Sequence, residues 1–108
     1  MPDKAWKAFE RRIAKSLGTH RTPLSGGASR HTRSDTLHPD LFVECRQRAH
    51  SATCVWFGVV RHEAKKEKKV PVMALHRSGS PYTLALIDWD FFLKLWDAYS
   101  QTKGLTHD

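Results

Sequence analysis

Glu44 and Arg46 stand two positions apart in a segment whose pattern predicts a β-strand. Apolar and polar residues alternate through residues 41–48 (LFVECRQR), with Leu41, Val43 and Cys45 on one face. Side chains two apart on a strand share a face at a spacing of about 6.7 Å, so a carboxylate and a cation project into the same space. Asp35 lies nine positions before Glu44, and a chain reversal at His38-Pro39 would bring the two carboxylates together.

Two carboxylates in such an arrangement suit a hard divalent cation. Mg²⁺ requires only one or two protein carboxylates, because water and substrate phosphate supply its other oxygen ligands. A metal held in this way on a basic protein indicates hydrolysis of phosphodiester bonds. We therefore predict Mg²⁺ as the cofactor, with Mn²⁺ able to substitute.

The overall charge indicates a polyanionic partner. The 108 residues include 18 Lys and Arg against 11 Asp and Glu, which gives a net charge of +7 and a pI near 9.8. Nucleic acid is the first partner class for such a chain, and an anionic membrane surface is the second. No stretch reaches the roughly 18 apolar residues of a membrane span. We predict a soluble, cytoplasmic protein of one domain, residues 1–108, whose Cys45 and Cys54 are reduced.

The hydrophobic pattern places these residues among three predicted helices. An apolar stripe from Trp6 to Leu17 predicts a helix over residues 4–17 that stops at Gly18. Ser51 is a suitable N-cap for a second helix that extends to about Lys69. A third helix covers residues 88–99, where an aromatic stripe suits the core or, alternatively, a dimer interface.

The remaining segments predict loops and strands. Residues 18–40 form a long basic loop, with a short strand near residues 32–37, and residues 100–108 form a frayed tail. Residues 70–76 and 82–87 are rich in β-forming residues and are joined by a Gly-containing turn, which predicts a hairpin. The element order is thus α-β-β-α-β-β-α, an α/β domain with a central mixed sheet flanked by helices.

The motif residues resemble the signature of the PD-(D/E)XK nuclease superfamily, and in particular small phage-type Holliday junction resolvase-like endonucleases. The match consists of Ser34-Asp35 followed by His38-Pro39-Asp40-Leu41-Phe42-Val43-Glu44-Cys45-Arg46. An early helix with Glu10, the Ser25-Gly26-Gly27 loop and the later segments 69–72 and 86–88 are similar as well. The resemblance covers about residues 4–95 and implies a restriction-endonuclease-like fold.

The resemblance implies a role for each motif residue. Asp35, Glu44 and the backbone carbonyl of Cys45 would bind the metal, and Arg46 would lie beside the scissile phosphate. Glu10 would be a supporting carboxylate. Asp40 is the rival to Asp35, but its position four residues before Glu44 makes it the start of the same strand, so Asp35 is preferred.

Arg46 departs from the family pattern, in which this position is Lys. A guanidinium group with a pKa above ~12 cannot act as a base, although it can stabilise charge that develops on a phosphate. Lys65 or Lys66 of the second helix could supply the missing amine. The alternative is a catalytically impaired nuclease fold that retains DNA binding, and a third class is an interaction protein whose basic surface meets an acidic protein.

Further basic residues are candidates for contacts with the DNA backbone. Those of the loop have flexible neighbours that would let them follow a strand, and those at the end of the second helix could equally serve as a favourable cationic helix terminus. The predicted DNA-binding residues are Arg21, Ser25, Arg30, Arg33, Arg48, Lys65, Lys66 and Lys69. By analogy with the family, the substrate would be branched DNA cut by a homodimer, in the host cytoplasm if a phage encodes the protein.

Overall fold

A computed structural model describes residues 4–23 and 32–104. The chain is a mixed α/β protein with the element order α1 (Ala5–Ser16), α2 (Ala52–Lys66), β1 (Met73–Leu75), β2 (Leu84–Leu86) and α3 (Trp89–Lys103). The three predicted helices and the predicted hairpin are present, and their boundaries differ by a few residues from those expected.

Helix α1 forms where the apolar stripe predicted it. Ile13, Ala14 and Leu17 are buried on one side of the helix, and Glu10 is buried with them. The helix ends as Gly18 adopts a φ of 72°, while the Thr19 N–H donates to the Ala14 carbonyl and the Gly18 N–H to that of Lys15. This is the Schellman arrangement, in which glycine avoids the steric cost of a left-handed conformation.

Helix α2 begins at the predicted cap, since the Ser51 side chain accepts a hydrogen bond from the Cys54 N–H. It ends at Lys66, before the predicted Lys69, because the chain turns in the same Schellman manner: the Lys69 N–H donates to the Ala64 carbonyl. Here the left-handed position is Lys68, with a φ of 57°. Lysine has a Cβ that glycine lacks, so this helix end carries a conformational cost.

Strands β1 and β2 pair antiparallel, with Met73 opposite Leu86 and Leu75 opposite Leu84. The turn between them is closed by a hydrogen bond from the Ser80 N–H to the Arg77 carbonyl. Gly79 has a φ of 85°, and a Cβ there would meet nothing within 4 Å. Glycine is therefore favoured at this turn by its backbone conformation and not by a lack of space.

Helix α3 extends beyond its predicted end at Tyr99. It continues to Lys103, and Ser100, which the sequence assigned to a frayed tail, is fully buried. The helix stops at Gly104, which has a φ of 71°. The rest of the predicted tail, residues 105–108, lies outside the described residues.

A central sheet is not confirmed. Across residues 4–23 and 32–104, the sheet is the two-stranded hairpin. The predicted strand at 32–37 contributes one isolated bridge, between Thr36 and Arg21, and the predicted strand at 41–48 contributes none. Burial still alternates through residues 41–46, with Val43 buried and Phe42 exposed. The expected strand lacks a backbone ladder because side chains bond to its amides, as described below.

The chain divides into two compact units, and the prediction of one domain over residues 1–108 stays a prediction. One comprises the described residues up to Gln47 together with those from Leu93 onward, and the other is Arg48–Phe92. The first contains most of the buried residues, including Ile13, Ala14 and Val43. Within the described parts of the chain, no helix is both long and apolar enough to cross a membrane.

The end of α2 provides a test of this fold. Lys68→Gly should stabilise the protein by about 1 kcal/mol, because glycine adopts the left-handed conformation without the Cβ penalty. Lys66→Gly, at the last residue of the helix, should instead destabilise it by up to about 0.5 kcal/mol, the lower end of the cost of glycine within a helix. Urea unfolding of both variants and the wild type measures the difference. A loss of stability in Lys68→Gly would contradict the described helix end.

Candidate metal centre

Asp35 is fixed against the segment that carries Glu44. Its backbone N–H donates to the Val43 carbonyl at 2.7 Å, and its Oδ2 accepts from the Cys45 N–H at 2.6 Å. The second donor belongs to the peptide that joins Glu44 to Cys45, and a hydrogen bond from an amide to a charged acceptor is among the stronger ones in proteins. The predicted chain reversal thus brings the Asp35 carboxylate to the backbone of Glu44.

Ser34 strengthens this connection with its hydroxyl group. The Ser34 Oγ accepts from the Val43 N–H at 2.7 Å and lies 3.2 Å from the Val43 carbonyl, to which it donates. Two neighbouring side chains, Ser34 and Asp35, therefore bond to the amides of Val43 and Cys45. These bonds take the place of a strand ladder and leave the Val43 and Cys45 amides satisfied without a second strand.

The other side of the same turn is held by residues 20–22. The Thr22 N–H donates to the Asp35 carbonyl at 3.1 Å, and the Leu37 N–H donates to that of His20 at 2.9 Å. The Thr22 hydroxyl adds a bond to the Ser34 carbonyl at 2.7 Å. Thr22 and Ser34 are almost completely buried, so Asp35 sits in a rigid frame of hydroxyl and backbone bonds.

Glu44 and Arg46 share an exposed face, as their spacing predicted. Their carboxylate and guanidinium groups pair at 2.6 Å, with 46% of the Glu44 side chain and 71% of the Arg46 side chain exposed. An ion pair this exposed contributes at most about 1 kcal/mol. A cation or a phosphate could therefore displace either partner at little cost.

Glu10 reaches the same region from α1 and is more firmly held. Its Oε1 accepts from the Arg21 Nε at 2.7 Å, and the two side chains are only 9% and 17% exposed. The Arg21 guanidinium also lies 5.4 Å from the centre of the Trp6 ring, which adds a cation–π contact. Arg21, which was predicted to contact DNA, is therefore bonded to Glu10, which was predicted to be the supporting carboxylate.

The Cys45 thiol experiences the negative charge of three carboxylates. Burial is the largest cause that raises the pKa of Cys45 to about 11, and the charges of Asp35, Glu10 and Glu44 contribute to the same rise, in that order of effect. Each carboxylate must be near enough to the sulfur to disfavour a second negative charge. The chain thus concentrates negative charge where the sequence predicted a metal.

The donors present fit a hard divalent cation in part. Asp35 and Glu44 offer carboxylate oxygens, and an oxygen that accepts one hydrogen bond, as Asp35 Oδ2 does, retains acceptor capacity. Among the described residues, however, no group of three or more His, Cys, Asp or Glu side chains is gathered closely enough to hold a metal. A site with two carboxylates and waters is the type that Mg²⁺ uses with phosphate substrates.

The other predicted site residues are distributed over both units. Asp40 lies in the exposed turn, where its N–H donates to His38 Nδ1, and Arg33 and Arg48 are exposed. Lys65, Lys66 and Lys69 end α2 or follow it, with Lys66 paired to Glu63 and Lys69 to Glu67. Ser25 and Arg30, with the rest of the Gly-rich loop, lie outside the described residues.

Sequence reasoning missed two residues that organise this site. Ser34 entered only as part of the motif, although its hydroxyl holds Val43. His38 entered only as part of the expected chain reversal and the motif, but it is 7% exposed, and its Nδ1 accepts from the N–H groups of Asp40 and Leu41. The available signal was a Ser-Asp pair followed by His-Pro, with Asp35 six residues before the start of the alternating segment 41–48.

Comparison with known proteins adds no relative. No protein-family model matches this chain, and no curated protein or solved structure is significantly similar to it. The case for a function therefore rests on the site itself.

The environment of Cys45 predicts slow thiol chemistry. With a pKa of about 11, roughly one Cys45 thiol in a thousand is ionised at pH 8, and only the thiolate is alkylated. Iodoacetamide should label the exposed Cys54 much faster, with the Cys45 rate still rising as the pH approaches 11. Asp35→Asn removes a negative charge and should accelerate Cys45 labelling. Mass spectrometry of the two peptides measures both rates, and equal rates in the wild type would contradict this electrostatic environment.

Proposed function

We propose that this protein is a metal-dependent endodeoxyribonuclease with a restriction-endonuclease-like fold. The observation that carries the proposal is the bond from the Cys45 N–H to Asp35 Oδ2, which holds the motif Asp against the backbone of the motif Glu. Glu10 contributes a third nearby charge, as its effect on the Cys45 pKa indicates. The net charge of +7 supports a polyanionic substrate.

Asp35, Glu44 and the Cys45 carbonyl would hold the divalent cation. When bound, Mg²⁺ or Mn²⁺ polarises the phosphate and lowers the pKa of a coordinated water. The frame around Asp35 fixes one ligand in advance, whereas Glu44 is free to exchange its exposed ion pair with Arg46 for the cation. Glu10, held by Arg21, keeps a negative charge beside the other carboxylates.

Arg46 would act on the phosphate and not on water. Released from Glu44, its guanidinium offers donors for the charge that develops on the phosphate oxygens, but it cannot take a proton. The exposed Arg33 and Arg48, with the cations at the end of α2, would contact the DNA backbone. Arg21 donates its Nε to Glu10, so only its remaining N–H groups could reach a phosphate.

The family resemblance extends the proposal to a substrate and an assembly. Branched DNA presents two symmetry-related strands, and a homodimer would supply two matching sites. This reaction would take place in the cytoplasm, or in that of the host for a phage-encoded protein. The branched substrate, the homodimer and the location are argued from the family resemblance alone.

A second candidate is a DNA-binding module without catalytic turnover. Two observations favour it: Arg stands in the position of the family Lys, and the described residues gather no three-ligand metal group. This candidate predicts metal-independent binding and no cleavage. It shares the DNA partner with the first proposal, so the cleavage assay separates the two.

Substitution of the metal ligands tests the nuclease proposal. Asp35→Asn and Glu44→Gln should each abolish cleavage, because an amide is a poor ligand for Mg²⁺, while DNA binding remains. The asparagine carbonyl can still accept the Cys45 N–H, so the frame around residue 35 is retained. End-labelled four-way junction, duplex, flap and single-stranded DNA are incubated with Mg²⁺, Mn²⁺ or EDTA.

Asp40→Asn is the matched control, because Asp40 is an exposed carboxylate in the same turn. It should cleave as the wild type does. Normal cleavage by both Asp35→Asn and Glu44→Gln would place the site elsewhere. Binding by the wild type with no cleavage in either metal would select the DNA-binding module.

A further inference from the structure

The Arg48–Phe92 unit contains a cleft that the metal site does not use. It has a volume of about 620 Å³ and lies between the second half of α2 and the residues that follow it. Its lining includes four cationic residues, Arg61, Lys65, Lys68 and Lys69. His62 also lines the cleft, and Asp88 is its one carboxylate. Four positive charges against one negative charge give this cleft a surplus of positive charge.

Local structure explains why these cations converge. Gly58, Arg61, His62 and Lys65 are spaced at three, four and seven residues, so they share one face of α2. The Schellman turn then reverses the chain, and Lys68 and Lys69 return to the same cleft. The run of lysines therefore contributes selectively: Lys65, Lys68 and Lys69 line the cleft, whereas Lys66 does not.

The charges of the cleft are only partly neutralised. Asp88 pairs with Arg61 at 3.0 Å, and Glu67 pairs with Lys69 at 3.0 Å. Lys65 and Lys68 have no ion-pair partner among residues 4–23 and 32–104. Two unneutralised ammonium groups in one recess repel each other, and an anion bound between them would relieve that repulsion.

Two residues that line the cleft, Gly58 and Lys68, lower the stability of the backbone around them. Gly58 weakens the middle of α2, where alanine would stabilise a helix, and a Cβ there would meet nothing within 4 Å. Lys68 holds the left-handed position at which glycine is preferred. The left-handed conformation of Lys68 is a backbone strain of the kind that commonly persists at functional sites.

We infer that this cleft binds phosphates of a nucleic-acid backbone through Lys65 and Lys68, independently of base sequence. The inference rests on the proposed function in that it takes DNA as the partner. Apart from Gly58 and Pro71, the lining residues are charged or titratable. Exposed apolar residues such as Val70 and Val72 are adjacent in the sequence but do not line the cleft, so the cleft itself presents charge and no apolar anchor for insertion into lipid.

Salt-dependent binding of a fluorescein-labelled 20-base-pair duplex tests the inference. All variants carry Glu44→Gln, and the buffer contains EDTA, so cleavage does not interfere. Lys65→Ala and Lys68→Gly should each weaken binding roughly 3- to 10-fold and reduce the slope of log K against log salt by about 0.9, the value for one phosphate contact. A second duplex of unrelated sequence should show the same losses.

Lys94→Ala is the matched control, because Lys94 is an exposed helical lysine of α3 that does not line the cleft. It removes the same charge and should leave the slope unchanged. Lys68→Gly should raise the melting temperature while it weakens binding, so unfolding cannot account for its loss of affinity.

Slopes for Lys65→Ala and Lys68→Gly that match Lys94→Ala would overturn the inference. The inference would also be overturned if the Glu44→Gln protein with an intact cleft bound phosphatidylserine vesicles but not the duplex. The cleavage assay keeps the two proposals separable. If the wild type never cuts DNA but the cleft variants reduce the salt slope, the cleft inference is supported and the nuclease proposal is rejected. If the wild type cuts DNA but the cleft variants leave the slope unchanged, the nuclease proposal is supported and the cleft inference is rejected.

Discussion

The short hydrogen bond between the Cys45 amide and the Asp35 carboxylate is the interaction on which the candidate site depends. It joins a turn to an extended segment without a sheet between them, and Ser34 supports it with a bond to the Val43 amide. Together the two bonds place a carboxylate next to the backbone of Glu44. With the backbone bond from the Asp35 N–H to the Val43 carbonyl, they hold the chain reversal that brings residues nine positions apart together.

This arrangement gives the Asp35 carboxylate two possible uses, one structural and one as a proposed metal ligand. As an acceptor for the Cys45 N–H it stabilises the turn, and as a metal ligand it would share the same carboxylate with a cation. A carboxylate has lone pairs enough for both, so the structural bond can orient the ligand in advance of binding. Glu44 differs, because its exposed ion pair with Arg46 holds it only weakly. The proposed site would thus combine one fixed ligand with one adaptable ligand.

The sequence predicted the helices and the hairpin well because their signals are local. Ser51 caps α2, Gly18 ends α1, and Gly79 forms the hairpin turn, each for a conformational reason that is visible in the residue type. The sequence also predicted a chain reversal between Asp35 and Glu44, and the Asp35 carboxylate bonds to the amide that follows Glu44; that the two carboxylates share a metal stays a prediction. The central sheet was not confirmed, since hydroxyl and carboxylate groups bond to the Val43 and Cys45 amides, and an alternating pattern does not distinguish them from a neighbouring strand. Lys68 was equally hard to foresee, because lysine is uncommon in a left-handed conformation.

The most direct test of the metal centre is a titration with Mn²⁺ followed by NMR of the ¹⁵N-labelled protein. Paramagnetic Mn²⁺ broadens the resonances of nearby amides, and it does so whether or not the protein cleaves DNA. A site at Asp35 and Glu44 predicts selective broadening of the amides of Asp35, Glu44, Cys45 and Arg46, with Glu44→Gln abolishing the effect. Broadening confined to other carboxylates, such as Asp88 or Asp97, or none at millimolar Mn²⁺, would contradict the account.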